Sequence, residues 1–269
     1  MNKHISIIGC GWLGFPLATE LVRNGNLVKG STTSPSKIEV LKKAGIIPFV
    51  VSISEEGITD AIEECLKDSE VLIINIPPGL RKNPKANFIK QMDLLSKHIE
   101  HSDIKKVLYV SSTSVYEEEV DIPTITDENA PNGQSYAAKQ LIGAEDVFKN
   151  NPNFETTILR FGGLIGGDRN PAKYLSGKEN APDPEGPVNL IHQEDCIAII
   201  KNIIVKEQWN TVFNAVAPQH PSREKYYNSL CEIQKLPLPH FDHATPSKGK
   251  IISSEKVERE LHYVFTHKL

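Results

Sequence analysis

Residues 5–8 form a short apolar run. They lead straight into Gly9-Cys10-Gly11-Trp12-Leu13-Gly14, after which residues 15–24 carry helical periodicity. A strand, a GxGxxG turn and a helix in that order restrict the fold more than any other feature of the chain. Each glycine meets a separate demand of a strand-to-helix corner built around a dinucleotide. Gly9 permits the tight turn, Gly11 lets the backbone approach a pyrophosphate, and Gly14 lets the helix pack close to the strand. The helix start around Trp12 and Leu13 then presents N–H groups to the anion.

The end of the second strand, residues 27–30, indicates which dinucleotide. An NAD site commonly places Asp or Glu there, about 20 residues on, to accept from the ribose 2′-OH. Here the chain reads Lys29-Gly30-Ser31-Thr32-Thr33-Ser34-Pro35-Ser36-Lys37, and no acid follows until Glu39. Ser31, Thr32, Thr33 and Lys37 supply hydroxyls, N–H groups and a cation suited to a 2′-phosphate. NADP is therefore expected in preference to NAD, although the usual arginine is absent. Ile76, Pro77 and Pro78 close the fourth strand at the carboxyl edge of the sheet, where they are expected to border the adenosine or pyrophosphate.

Strand and helix signals alternate through the first two thirds of the chain. Strands are expected at 5–8, 27–30, 46–51, 71–76, 106–111 and 156–160. Helices are expected at 15–24, 36–43, 58–67, 86–99 and 136–148. Near-continuous apolar strands between helices mean an α/β protein with a Rossmann-type, doubly wound parallel sheet. Beyond Phe161 the pattern loosens. Residues 162–187 are rich in Gly, Pro, Asn and Asp and look like a functional excursion, and a helix follows at 196–205. The expected division is a dinucleotide-binding domain over 1–161 and a mainly substrate-binding C-terminal lobe over 162–269, partly interleaved, with 188–206 packing on the first domain.

Of the 269 residues, 39% are hydrophobic and 24% charged, which is enough to build a core. The net charge of -4 gives no general attraction to nucleic acid. No apolar run reaches the roughly 20 residues of a membrane span, and because Met1 is followed at once by a strand-like segment, no signal peptide is expected. Cys10, Cys65, Cys196 and Cys231 show neither CxxC spacing nor paired histidines, so no metal site is expected and the thiols suit a reducing, cytoplasmic compartment. The expected partner is a small-molecule substrate. The oligomeric state is left open between monomer and homodimer.

Four further segments carry a resemblance. They are Tyr109-Val110-Ser111-Ser112-Thr113-Ser114-Val115-Tyr116, Ser135-Tyr136-Ala137-Ala138-Lys139-Gln140, Leu159-Arg160-Phe161-Gly162-Gly163-Leu164-Ile165-Gly166, and Val188-Asn189-Leu190-Ile191-His192-Gln193-Glu194-Asp195. In order and spacing the chain resembles the extended short-chain dehydrogenase/reductases, the group of nucleotide-sugar epimerases and dehydratases. More narrowly it is similar to the atypical YeeZ-like branch, described as NAD(P)-dependent epimerases. The resemblance implies hydride transfer at a carbonyl or carbinol carbon. It implies Ser112, with Thr113 as its nearest competitor, as the group that hydrogen-bonds the substrate oxygen, and Tyr136 as the group that transfers the proton.

A tyrosine ordinarily titrates near ~10. The family lowers that value with a lysine four residues later, on the same helix face. This chain has Gln140 there, and Lys139 stands one position early, about 100° around the helix. Either the long stem of Lys139 compensates, or the helix is shifted and Lys139 pairs with Ser135. Asn189, His192 and Asp195 read as a helix start rather than as catalytic groups. Arg169 is a better candidate than Arg160 for an anionic group. The alternative to an oxidoreductase or epimerase is a non-catalytic NADP-binding sensor or scaffold with an altered active site.

Overall fold

The structure, a computed structural model, describes residues 3–269. Its strands are β1 (His4–Ile8), β2 (Leu27–Thr32), β3 (Ile47–Val50), β4 (Val71–Ile74), β5 (Lys106–Ser112), β6 (Thr124–Ile125), β7 (Glu155–Phe161), β8 (Gly163–Ile165), β9 (Leu190–His192), β10 (Val212–Ala215) and β11 (Ile251–Ile252). Its α-helices are α1 (Gly14–Arg23), α2 (Ile38–Lys43), α3 (Ala61–Leu66), α4 (Phe88–Glu100), α5 (Tyr136–Lys149), α6 (Ala172–Leu175), α7 (Gln193–Val205), α8 (Arg223–Ile233) and α9 (Glu255–Leu261). Seven strands form one sheet in the order β10-β7-β5-β4-β1-β2-β3. β1 pairs in parallel with both β2 and β4. The chain therefore winds outward one way through β3 and the other way from β4, and the reversal falls at β1 and β4. An open α/β sheet binds its ligand outside the carboxyl ends of the strands at that reversal.

The central strands are apolar because both of their faces are covered. Ile5, Ile7 and Ile8 and all four residues of β4 are at most 2% exposed. Ser6 interrupts the apolar run without cost: its hydroxyl donates to the Cys65 carbonyl at 2.5 Å and meets the Ser69 hydroxyl at 2.7 Å, tying β1 to the end of α3. On α4 the buried residues Phe88, Met92, Leu95 and Ile99 make a stripe at helical spacing. Burying each such side chain contributes roughly 1.5–3 kcal/mol.

The expected strand and helix order is present, with shifted boundaries. β2 continues to Thr32, so Ser31 and Thr32 lie in the strand. β4 ends at Ile74, two residues early; the Asn75 N–H still donates to the Ile8 carbonyl at 2.9 Å, and its side chain reaches the glycine corner. The third helix begins at Ala61 rather than 58, since Ile58 is held in an antiparallel bridge to Ile53. The seventh helix begins at Gln193. All four cysteines are free and buried. Among the described residues no helix is long and apolar enough to cross a membrane.

The chain divides into two compact units. Unit 1 holds residues 1–112, 134–159 and 203–212; unit 2 holds 113–133, 160–202 and 213–269. Within unit 2, β8 pairs with β9 and β11 with β6, both in parallel. Asn189 braces these pieces: its amide donates to the Lys250 carbonyl at 2.8 Å and its Oδ1 accepts from the Ile252 N–H at 3.0 Å. Asp195, fully buried, accepts from the Tyr263 hydroxyl, from the Thr266 N–H at 3.0 Å and hydroxyl at 2.8 Å, and from the His267 N–H at 3.3 Å. Both residues thus hold distant segments, a role that local helix-start spacing does not reveal.

Unit 2 also has a polar centre. The buried Arg160 donates to the Tyr116 hydroxyl and lies over that ring, 5.1 Å from its centroid. The Tyr116 hydroxyl donates to Asn214 Oδ1 at 3.2 Å, and the Asn214 N–H donates to Asp127. Burial pushes the Asp127 carboxyl up to about 6, against the opposing pull of its hydrogen bond from Asn214. A carboxyl raised in the folded state is most favourable to folding below its unfolded value, near ~4, and that contribution is lost as pH rises through about 6. Wild-type stability should therefore fall by about 2–3 kcal/mol between pH 4 and pH 7 relative to Asp127→Asn. Urea unfolding of both proteins across that range measures the difference; parallel pH profiles would remove Asp127 as its source.

Candidate functional site

The glycine corner lies where β1 ends, at the reversal of the sheet. Gly9 has φ +105°, and a Cβ there would stand 2.3 Å from the Asn75 carbonyl oxygen. A Cβ on Gly14 would stand 2.1 Å from the Gly9 carbonyl oxygen. Packing alone thus requires glycine at both positions. Gly11 differs: it is exposed, and a Cβ there would meet nothing within 4 Å. The fold does not need a glycine at Gly11, and the space beside its backbone is open to a ligand. α1 starts beside that space with no side-chain cap. Trp12 is half-buried there, and Leu13 is buried.

The corner is fastened by its neighbours. The Gly9 N–H donates to the Ser31 hydroxyl at 2.9 Å and the Cys10 N–H to the Ser31 carbonyl at 2.8 Å. The Asn75 side chain donates to the Gly9 carbonyl at 3.2 Å. The sequence signal of Asn75 is slight, a polar residue closing an apolar strand. Ser31 is nearly inaccessible, and its hydroxyl is committed to the turn. The buried Thr32 hydroxyl accepts from the Ser34 N–H at 3.1 Å. Thr33 and Lys37 are exposed, Lys37 at the end of the one-turn 3-10 helix Pro35–Lys37. Beyond β4, Ile76 and Pro78 are half-buried and Pro77 is exposed. The Cys10 thiol, within the corner, is pushed up to about 12 by burial and stays protonated at neutral pH.

Ser112 ends β5, half-buried, beside Ser111, whose buried hydroxyl donates to Glu145 of α5 at 2.5 Å. Thr113 follows and is buried. Tyr136 is the first residue of α5, which Ser135 caps by accepting from the Ala138 N–H at 3.1 Å. The Tyr136 ring is 48% exposed, and its hydroxyl donates to the Ala86 carbonyl at 3.2 Å. Gln140 is buried, and its Oε1 accepts from the Ile89 N–H at 3.1 Å, in the first turn of α4. Tyr136 and Gln140 therefore share a face turned to residues 86–89. Lys139 is exposed, and its N–H donates to the Ser135 carbonyl, so it shares a face with Ser135 instead.

Two contrasts follow from this geometry. Gly14→Ala should cost about 3 kcal/mol, the upper end for overpacking, through its clash with backbone, whereas Gly11→Ala should change stability by less than about 0.5 kcal/mol. Gln140→Lys should cost about 1–3 kcal/mol, because the Ile89 N–H loses its acceptor. Urea unfolding measures all three, and equal losses at Gly11 and Gly14 would contradict the open space beside Gly11.

No family model matches the chain. Protein YeeZ of Escherichia coli (strain K12) is 32% identical over 269 residues, covering 98% of this chain and 96% of that protein. Among solved structures, the UDP-glucuronic acid 4-epimerase from Bacillus cereus in complex with NAD superposes with a TM-score of 0.80 at 18% identity, covering 98% of this chain and 92% of that one. A short-chain dehydrogenase/reductase superfamily protein from Agrobacterium tumefaciens with bound NAD superposes with a TM-score of 0.78 at 16% identity, covering 98% and 93%. These two likenesses show the shared fold. The full-length identity with the E. coli protein shows the kinship: this chain belongs to the YeeZ family.

Proposed function

We propose that unit 1 binds a nicotinamide dinucleotide and that the protein is an oxidoreductase or epimerase. Its substrate would be a nucleotide-sugar-like molecule or a small carbonyl compound. The observation that carries the reading is Gly11, the one glycine of the corner that packing does not require, facing open space beside the uncapped start of α1. The NAD held by the Bacillus cereus epimerase and the Agrobacterium tumefaciens protein supports it. NADP is preferred to NAD because no acid stands at the end of β2, where the exposed Thr33 and Lys37 are left to meet a 2′-phosphate. The dinucleotide, when bound, accepts or returns a hydride. Substrate recognition is assigned to unit 2, and the compartment is the cytoplasm, where the free thiols stay reduced.

Ser112 hydrogen-bonds the substrate oxygen. Tyr136 transfers the proton once its hydroxyl leaves the Ala86 carbonyl, a bond made by a ring that is half exposed. Lys139 supplies positive charge from the neighbouring helix face. A second reading is favoured by Gln140, which is committed to α4 and leaves no cation on the tyrosine face. It describes a non-catalytic NADP-binding sensor or scaffold.

Calorimetric titration should show tighter binding of NADP than of NAD. Gly11→Val should abolish both while leaving the fold intact, and Lys37→Ala should weaken NADP alone by about 1–3 kcal/mol. Equal affinity for the two dinucleotides would overturn the NADP assignment. Oxidation of NADPH over a panel of nucleotide sugars, aldehydes and ketones separates enzyme from sensor. Tyr136→Phe should lower turnover by about two or more powers of ten, and unchanged turnover would reject its proton-transfer role. Binding without turnover, with NADP altering protease cleavage within residues 162–187, would select the sensor.

A further inference from the structure

We propose that unit 2 carries a binding site for a late first-row divalent metal ion, zinc being the representative, formed by His192, Glu194 and His267. One potential ligand atom from each lies within 4.8 Å of the other two. Sequence spacing could not reveal the set, because His267 arrives only when the segment after α9 returns to Asp195.

The partners of the two His267 ring nitrogens carry the site first. Its Nδ1 lies 3.2 Å from Asp195 Oδ2. Asp195 already accepts from four other donors, so it acts as a carboxylate acceptor and Nδ1 must be the donor. The lone pair of a neutral His267 is then on Nε2. That nitrogen faces Glu194 Oε2 at 3.4 Å. With a proton on Nε2 this is an ion pair with Glu194; without one, Nε2 and the carboxylate turn two lone pairs to the same point, where a metal cation would take the place of the proton. The separation is longer than a good N–H···O hydrogen bond, and it matches the roughly 3.4 Å edge of a tetrahedron with bonds of about 2.0–2.1 Å. A buried carboxylate that fixes the tautomer of a ligating histidine is the usual second-shell arrangement at a metal.

His192 completes the set. Its Nδ1 accepts from the Glu194 N–H at 3.3 Å, a long bond that is readily given up. The two imidazoles stack at 3.7 Å with 20° between their planes. Parallel rings cannot both aim lone pairs at one ion, so metal entry requires His192 to turn out of the stack. Two imidazoles and one carboxylate suit zinc and its late first-row neighbours rather than calcium or magnesium, and they leave a fourth position open to water or another ligand.

The experiment is titration of the full-length protein with Zn²⁺ by calorimetry, and with Co²⁺ as a spectroscopic probe. One ion should bind per chain. His192→Gln and His267→Gln should each weaken binding by more than the roughly 10–100-fold that loss of a second-shell group costs. His192→Gln leaves the Asp195 contacts in place, so it remains informative if His267→Gln loosens the fold. Co²⁺ should give visible bands of low-coordinate nitrogen and oxygen ligation that vanish in both variants. No saturable binding, or binding that survives His192→Gln undiminished, would overturn the site.

Discussion

The carbonyl of Gly9 is where three elements meet at close range. It accepts the Gly11 N–H at 2.9 Å from within its own turn and the Asn75 side chain at 3.2 Å from beyond β4, and it leaves no room for a Cβ on Gly14 at the head of α1. β1, β4 and α1 can approach this closely only because two of the three meeting points lack side chains. The same corner is where β1 lies beside its parallel partner β4. The exposed backbone at Gly11 follows from the same crowding: with Gly9 and Gly14 absorbing the packing, the residue between them is turned outward.

Position 140 in α5 shows a side chain committed to packing between helices. A lysine at position 140 would face the first turn of α4, where an unpaired N–H waits. Gln140 answers that N–H with a carbonyl and holds α4 against α5, a packed pair of helices. The charge at Lys139 sits on another face, in solvent. Position 140 thus carries a neutral brace between two helices, and the nearest cation in sequence, Lys139, lies in solvent.

Legibility from sequence followed the range of the forces involved. β1, β4 and β5 were readable because a strand covered on both faces is mostly apolar, and the glycine corner because its demands are local. The ends of elements were less so: α3 starts late because Ile58 bridges Ile53, 5 residues away in an irregular loop. The commitments of Ser31 to Gly9 and Gln140 to Ile89 span 22 and 51 residues, and no local pattern announces them. Asn189 and Asp195 looked like a helix start, yet they anchor segments 61 to 72 residues away.

Asp195 has a consequence for the order in which the chain can form during synthesis. Its partners are made 68 to 72 residues later. A nascent chain that has emerged only as far as α7 therefore carries a carboxylate whose burial is unfavourable, since none of its donors yet exists. α7 has an apolar side ready to pack, but the acid in its first turn resists being covered. The donors that satisfy Asp195 are complete only once residues 263–267 are present, so the closing of unit 2 around α7 depends on the last stretch of the sequence.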